Sequence, residues 1–222
     1  MERIMTVADV SLSMNLRLNK GDSQDYDNLW NYHKANAFNK AVSDWVRRQI
    51  RGKNQTQEGD EESTARVDDL QVLLKQDNLT IRDKGVYVES NKLPTDYLYY
   101  KRLTPIVSKG KCSSIRITSD LREEANVDRL LPTCSFEFEE TFHTLVGNKI
   151  RIYHNKEFTI EKADLMYYRK PKVYDFGKIN DTVEFKDDVC EILIDEACKI
   201  LGSDIESFNQ KNAAQERAEN NN

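Results

Sequence analysis

Three histidines, four cysteines and 38 carboxylates are the residues of this chain that could do chemistry, and their spacing excludes most of what such residues do. His33, His143 and His154 each lack a sequence partner for a nucleophile–base–orienter triad, so only tertiary proximity could supply one. Cys112, Cys134, Cys190 and Cys198 form no C-x-x-C pair, whereas a zinc site normally brings at least one closely spaced ligand pair. Cys190 and Cys198 share a helix face, where free cysteines act as small buried hydrophobes, and a reducing compartment is the default. No G-x-S-x-G, H-E-x-x-H, P-loop or G-x-G-x-x-G occurs, and eight glycines spread singly cannot build a phosphate cradle. Glu139 and Glu140 are adjacent, but on a strand they point to opposite faces. The expectation is a protein that is not an enzyme, with no catalytic residue, no metal site and no cofactor.

The chain of 222 residues is long enough to bury a core, as one domain with an excursion or as two small ones. Its hydrophobic share is 38% and its charged share 32%, and no apolar run approaches the roughly 20 residues a membrane span needs. No basic n-region leads into a long apolar h-region, so neither a membrane nor a secretory signal is expected. The formal net charge of -5 argues against broad binding to nucleic acid, which runs on an excess of Lys and Arg.

The best-patterned stretch, residues 132–176, reads as sheet. Phe136, Phe138, Phe142 and Val146 alternate with polar residues, which predicts a strand with one buried face. Gly147-Asn148 supplies turn chemistry, and Ile150 and Ile152 begin the return strand. A two-residue turn would put these isoleucines on the side of Leu145 and His143. A three-residue loop, Gly147 to Lys149, would put them with the phenylalanines, and it is the expected register because it uses one hydrophobic face. Phe158 and Ile160 predict a further short strand, and Leu165 to Tyr168 a fourth, ended by Pro171.

Around this sheet the period changes. Residues 27–51 predict a helix, with Trp30, Ala37, Phe38, Ala41, Val42, Trp45, Val46 and Ile50 on one stripe, Asp25 or Asp27 as cap and Gly52 as stop. Residues 53–64 hold no apolar side chain and predict a loop ordered only by contact with another protein. Val67, Leu70, Leu73 and Leu74 predict a second helix, antiparallel to the first. Residues 79–88 predict a hairpin about Asp83-Lys84-Gly85. Residues 93–105 predict a short helix capped by Thr95 or Asp96, its tyrosines beside Lys101 and Arg102 closing a core edge or forming a base-stacking platform. Residues 106–118 predict two strands joined at Ser108-Lys109-Gly110, and residues 119–131 a helical connection. Val189, Ile192, Leu193, Ala197, Ile200 and Leu201 predict a helix from Asp187, with a bend or restart at Gly202-Ser203-Asp204. At the other end, Val10, Leu12, Met14, Leu16 and Leu18 alternate, predicting a strand or an arm.

The expected fold class is α+β: a helical core of two N-terminal helices and the C-terminal helix, with an antiparallel β-rich domain between them. The expected boundaries are an arm at 1–26, a helical hairpin at 27–78, a β-rich domain at 79–180 and the C-terminal helix and tail at 181–222. Trp30, Phe38, Val42, Trp45, Leu70, Leu73, Val189, Leu193, Ala197 and Ile200 are the expected helical core. Residues 27–53 carry a local charge of +4 and residues 181–222 one of -7, so the two regions can pair within the chain or between copies.

The order VDDLQVLL, LPTDYLYYKRL, LPTCSFEFEETFHTLVGNKIRIY, LMYYRKPKVYDF and VCEILIDEACKILGSDIESFNQKNAAQERAENN resembles the head-tail connector (ring or adaptor) proteins of short-tailed bacteriophages, especially crAss-like phages. The likeness covers residues 67–222. It implies a structural virion protein, assembled in the host cytoplasm into a homo-oligomeric ring, commonly twelvefold, between the portal protein and further tail ring or nozzle proteins. DNA would pass through the channel without sequence-specific binding. With that resemblance, Arg47, Arg48 and Arg51 on the basic helix and Ile205 and Phe208 near the C-terminus are the expected subunit or portal interface. A non-viral scaffolding adaptor and a nucleic-acid binder using the arginine face are the two alternative readings.

Overall fold

The computed structural model describes residues 5–18, 30–51, 68–110, 113–127, 140–154 and 157–219, with side chains for all of these but residues 140 and 204–219. The chain is α+β and divides into two compact units, one of Met1–Val72 with Pro171–Asn222, the other Leu73–Lys170. The β unit is thus inserted between the two ends of the chain that build the helical unit.

The helical unit contains α1 (Val7–Leu18), α2 (Asn31–Arg51) and α3 (Asp187–Glu219). Residues 7–18 are a helix, which corrects the expected strand or arm. The alternation misleads because Val10 and Met14, four apart, are two strand steps and also about one helical turn apart. Here Val7, Val10 and Met14 are buried while Leu12 and Leu16 are exposed. The start is fixed by a reciprocal cap: the Thr6 backbone N-H donates to Asp9 Oδ2 at 3.0 Å and the Asp9 N-H to Thr6 Oγ1 at 3.3 Å. The Val7 and Ala8 N-H groups donate to the carbonyls of Asp181 and Ile179.

α2 buries Lys34, Ala37, Phe38, Ala41, Val42, Trp45 and Val46. Phe38 meets Tyr174 and Phe176 edge-on at 5.5 and 6.0 Å, and Trp45 meets Phe185 at 5.6 Å. Asn39 fastens the segment after the β unit twice, donating from Nδ2 to the Tyr174 carbonyl and accepting the Tyr174 N-H. α3 buries Val189, Cys190, Leu193, Ile194, Ala197 and Leu201. Three expectations are corrected here. Trp30, one residue before the helix, is 70% exposed, Ile192 is exposed and Ile200 is only half-buried. The expected break at Gly202 is absent: the helix runs through it, a position whose intrinsic cost of about 1 kcal/mol a packed helix tolerates. The expected second helix does not continue either, because a 3-10 turn at Gln71–Leu73 leads straight into a strand. The polar loop at 53–64 and the phenylalanines at 136 and 138 lie outside the described residues.

The β unit has two sheets. One has the order β1 (Leu74–Leu79), β9 (Thr159–Arg169), β4 (Tyr97–Ser108), β5 (Ile115–Arg116), all antiparallel. The other has the order β2 (Ile81–Asp83), β3 (Tyr87–Ser90), β8 (Lys149–Tyr153), β7 (Glu140–Val146), β6 (Thr118–Leu121). The β6–β7 pair is parallel, so this sheet is mixed rather than wholly antiparallel. Leu79, Leu103, Val107, Leu165 and Tyr167 from the first sheet and Val88, Ile150 and Ile152 from the second share one core. The hairpin expected at 79–88 forms between Ile81–Asp83 and Tyr87–Ser90, while Leu79 ends β1. Residues 97–108 are a strand, not a helix, and residues 118–121 a strand rather than a helical connection. The two short strands expected at 158–168 are one.

Bulges explain these misreadings. β4 carries an extra residue at Leu98 and another at Lys101, and β9 one at Glu161, as the paired positions show. Each bulge shifts the side-chain parity by one. Tyr97, Tyr100 and Leu103 therefore reach one core at spacings of three, which in sequence is the mark of a helix. Ile160 and Ala163 do the same on β9. The Leu103 N-H donates to the Tyr100 hydroxyl at 2.9 Å.

The β7–β8 hairpin takes the two-residue register, with Leu145 opposite Ile150 and His143 opposite Ile152, which overturns the three-residue loop. Gly147 (φ 54°) and Asn148 (φ 64°) both occupy the left-handed region, the backbone of a turn whose twist matches the strands. The assumption of one hydrophobic face was the error. Ile150 and Ile152 enter the main core, while Phe142 stacks on Tyr153 at 4.9 Å on the opposite face, beside Tyr87 and Val127.

Candidate functional site

The arginines expected at an interface lie along the last two turns of α2. Arg48 pairs with Glu196 of α3, so its charge is used inside the helical unit. Arg47 lies 3.9 Å from Asp44 on its own helix, and Arg51 is exposed at the helix end. On α1, Arg17 pairs with Glu191 and Asp195 of α3, a contact the sequence reading did not foresee. Ile205 and Phe208 belong to α3, about 14 and 18 Å along its axis from Glu196 at 1.5 Å per residue. Their side chains lie outside the described residues.

A second polar constellation occupies the face of the four-stranded sheet that turns away from the core. Antiparallel partners share a face, so Asp164 stands with Asn78 on one side and Thr104 on the other, and Met166 with Gln76 and Arg102. Arg116 on β5 is opposite Ile106 and completes the row. Asp164 is only 7% exposed at its side chain. Its Oδ2 accepts from Gln76 Nε2 and from Arg116 at 3.2 Å each, whereas its buried Oδ1 has no donor. Two open cavities, of about 460 and about 510 Å³, both reach Asp164, Gln76 and Arg116.

The first cavity also touches Ser119, whose hydroxyl is 2.8 Å from His143 Nδ1. Tertiary proximity has thus supplied one of the histidines with a serine. The pair is poorly placed for nucleophilic catalysis. His143 is wholly buried, its Nε2 has no partner to orient the ring, and burial pushes its pKa down to about 4 despite the nearby Asp120. An imidazole so weakened is a poor base for a serine. Burial also pushes the Cys190 thiol up to about 12, with Asp187, Asp188 and Glu191 adding to the effect, which closes thiolate chemistry at neutral pH. Among the described residues no three His, Cys, Asp or Glu side chains gather to hold a metal, and no helix is long and apolar enough to cross a membrane.

No family model matches this chain, and no curated protein matches its sequence. The site must therefore be read from its own residues. Sequence reasoning missed the Asp164 constellation because residues 161–164 fell between the two short strands expected there, whereas one strand, bulged at Glu161, runs through them. One signal was present: Lys162, Asp164 and Met166 alternate with Ala163, Leu165 and Tyr167, so the period of two resumes immediately after the bulge.

Proposed function

We propose that this chain is a structural virion protein, a head-tail connector subunit that forms a ring joining the portal to the tail and lining or sealing the DNA exit channel. The reading starts from the segment order quoted above, and the observation that carries it is the length of α3. The helix has 33 residues, and 18 of them follow Leu201, about 27 Å at 1.5 Å per residue. An isolated helix of that length is marginal in water, so a contact partner is the economical reason for it. Its sequence offers Ile205 and Phe208 as apolar anchors, followed by residues without a large apolar side chain. A neighbouring subunit or the portal is the partner proposed. The α+β build, with a helical unit made by both chain ends, accords with this reading.

Because Arg48 is committed to Glu196, complementary charge between subunits falls to the arginines at its sides, Arg47 and Arg51. Native mass spectrometry of the full chain, alone and with its portal, tests the assembly: a large symmetric oligomer is expected, and a strict monomer under both conditions overturns it. A chain ending at Gly202 tests the helix. It is expected to fold and to lose portal binding, and assembly with undiminished affinity would remove the C-terminal segment from the interface.

A further inference from the structure

We propose, as a consequence that rests on the ring reading, that the exposed side of α1 is the seat for the projecting end of α3 from an adjacent copy of this chain, so that each subunit holds the next head to tail. α1 buries Val7, Val10 and Met14, and its opposite side carries Ala8, Leu12 and Leu16, spaced four apart as one stripe. Leu12 is 59% exposed and Leu16 64%. At the start of the stripe the Ala8 N-H donates to the carbonyl of Ile179, another exposed apolar residue. The only two charged residues of the helix are used elsewhere: Asp9 caps its start, and Arg17 pairs with Glu191 and Asp195. A contiguous apolar stripe without charge of its own marks a contact surface, whereas a single exposed leucine would not.

The occupant follows from the course of α3. The Met5 N-H donates to Asp187 Oδ1 at 3.2 Å, and Cys198 Sγ lies 4.0 Å from the Met14 carbonyl, so α1 and α3 run parallel. α1 ends four residues after Met14, level with about residue 202 of α3. The 18 residues of α3 that follow Leu201, about 27 Å of helix, therefore project past the end of α1, which is itself about 18 Å long. Ile205 and Phe208 are the large apolar residues of that projection. Because α3 continues as one helix, it carries them onward from the end of α1 and not back along the side that holds Leu12 and Leu16. Stripe and projection of one chain thus cannot cover each other. They are two different surfaces, and a contact between different surfaces of identical copies is heterologous: it repeats head to tail and closes into a ring where the rotation allows. A second copy covers both surfaces with one kind of contact, whereas docking of α3 on the portal would leave the stripe bare.

Oxidative cross-linking of the full chain, assembled alone or with its portal, tests the pairing. Leu12→Cys or Leu16→Cys, each combined with Phe208→Cys, is expected to give a ladder of covalent multimers in at least one of the two pairs, while each single variant gives no multimers beyond those of the unsubstituted chain. In a second measurement Leu12→Gln with Leu16→Gln is expected to leave the far-UV circular dichroism unchanged, since both positions are exposed and glutamine is a good helix former. The same variant should raise the concentration needed for assembly about tenfold or more. Multimers from Leu12→Cys or Leu16→Cys alone would mean that two α1 helices pack on each other. A symmetric oligomer without a ladder, or undiminished assembly of the glutamine variant, would mean that something else covers the stripe. Each of these results overturns the proposal while the ring reading stands. A chain that stays monomeric both alone and with its portal overturns the two together.

Discussion

In α2 the buried residues Ala37, Phe38, Ala41, Val42, Trp45 and Val46 keep the helical period without interruption, whereas in β4 the core-facing residues change spacing midway, from the half-buried Tyr97 and Tyr100 and the buried Leu103 to Leu103, Pro105 and Val107. The contrast teaches where sequence patterning is reliable. A helix buries one continuous stripe, and an inserted residue would rotate that stripe away from its partner, so the period is enforced over its whole length. A strand can absorb one extra residue as a local bulge, after which the same face is reached by positions of opposite parity. The helical unit accordingly depends on a few large contacts and the β unit on many small compensations, which ranks the following expectations.

The largest effect belongs to Trp45. It is 3% exposed and packs edge-on against Phe185, so Trp45→Ala should destabilise the helical unit by about 3–5 kcal/mol. Urea unfolding followed by far-UV circular dichroism checks this, with Trp30→Ala as the contrast. Trp30 is 70% exposed, and its removal should change stability by about 0.5 kcal/mol or less. Equal costs for the two would break the distinction between stripe and surface.

The second effect is in the β unit and depends on pH. His143 is buried neutral between Ser119 and the Tyr100 ring, 5.2 Å away, with its pKa lowered from 6.5 to about 4 by burial. A depressed folded pKa on a base means that the unfolded chain takes up the proton first. The stability is therefore fully present above about pH 6.5 and is lost as pH falls towards 4, by about 3 kcal/mol at that end. Amide exchange of β7 and β8 between pH 7 and pH 4.5 measures it. The pH slope should flatten in His143→Gln, and an unchanged slope would show that another group causes it.

These two cases also define what was legible. Fold class, both long helices, the hairpin about Asp83-Lys84-Gly85 and the core residues Phe38, Val42, Trp45, Leu193 and Ala197 could be read because each is a local period with one face. The helix at Val7–Leu18 could not be assigned uniquely, since its decisive residues, Val10 and Met14, satisfy both periods, although Thr6 and Asp9 stood ready as a cap. The Asp164 face was hidden more deeply. It is assembled by register across four strands, and register is a property of pairs that no single segment displays.

Tyr100 gives the third effect and tests the bulges directly. Its hydroxyl accepts the Leu103 N-H, a backbone donor in a strand that two bulges interrupt. Tyr100→Phe would leave that donor unsatisfied, at a cost of about 1–3 kcal/mol. Faster exchange of the Leu103 amide than of Leu165 in the variant is the expected sign. Unaltered exchange at Leu103 would show that the ladder, and not the hydroxyl, holds it.

The smallest effect sharpens the hairpin register. The observed pairing of Val146 with Lys149 leaves only Gly147 and Asn148 in the turn, and both must hold positive φ. A β-carbon at Gly147 meets nothing within 4 Å, so any cost of Gly147→Ala is conformational rather than steric contact with neighbours. That cost should be about 1 kcal/mol, the penalty of the left-handed region for an alanine. Asn148→Gly should cost at most a few tenths of a kcal/mol, because asparagine and glycine both accept that region. Urea midpoints at constant slope measure both, with amide exchange at Ile150 as the local probe. A three-residue loop over Gly147 to Lys149 would instead pair Val146 with Ile150 and carry Ile150 and Ile152 to the phenylalanine face. An Ile150→Ala loss smaller than the Gly147→Ala loss would favour that loop, because it would mean that Ile150 lies outside the main core. A loss of about 2–5 kcal/mol at Ile150, as its full burial predicts, fixes the two-residue turn.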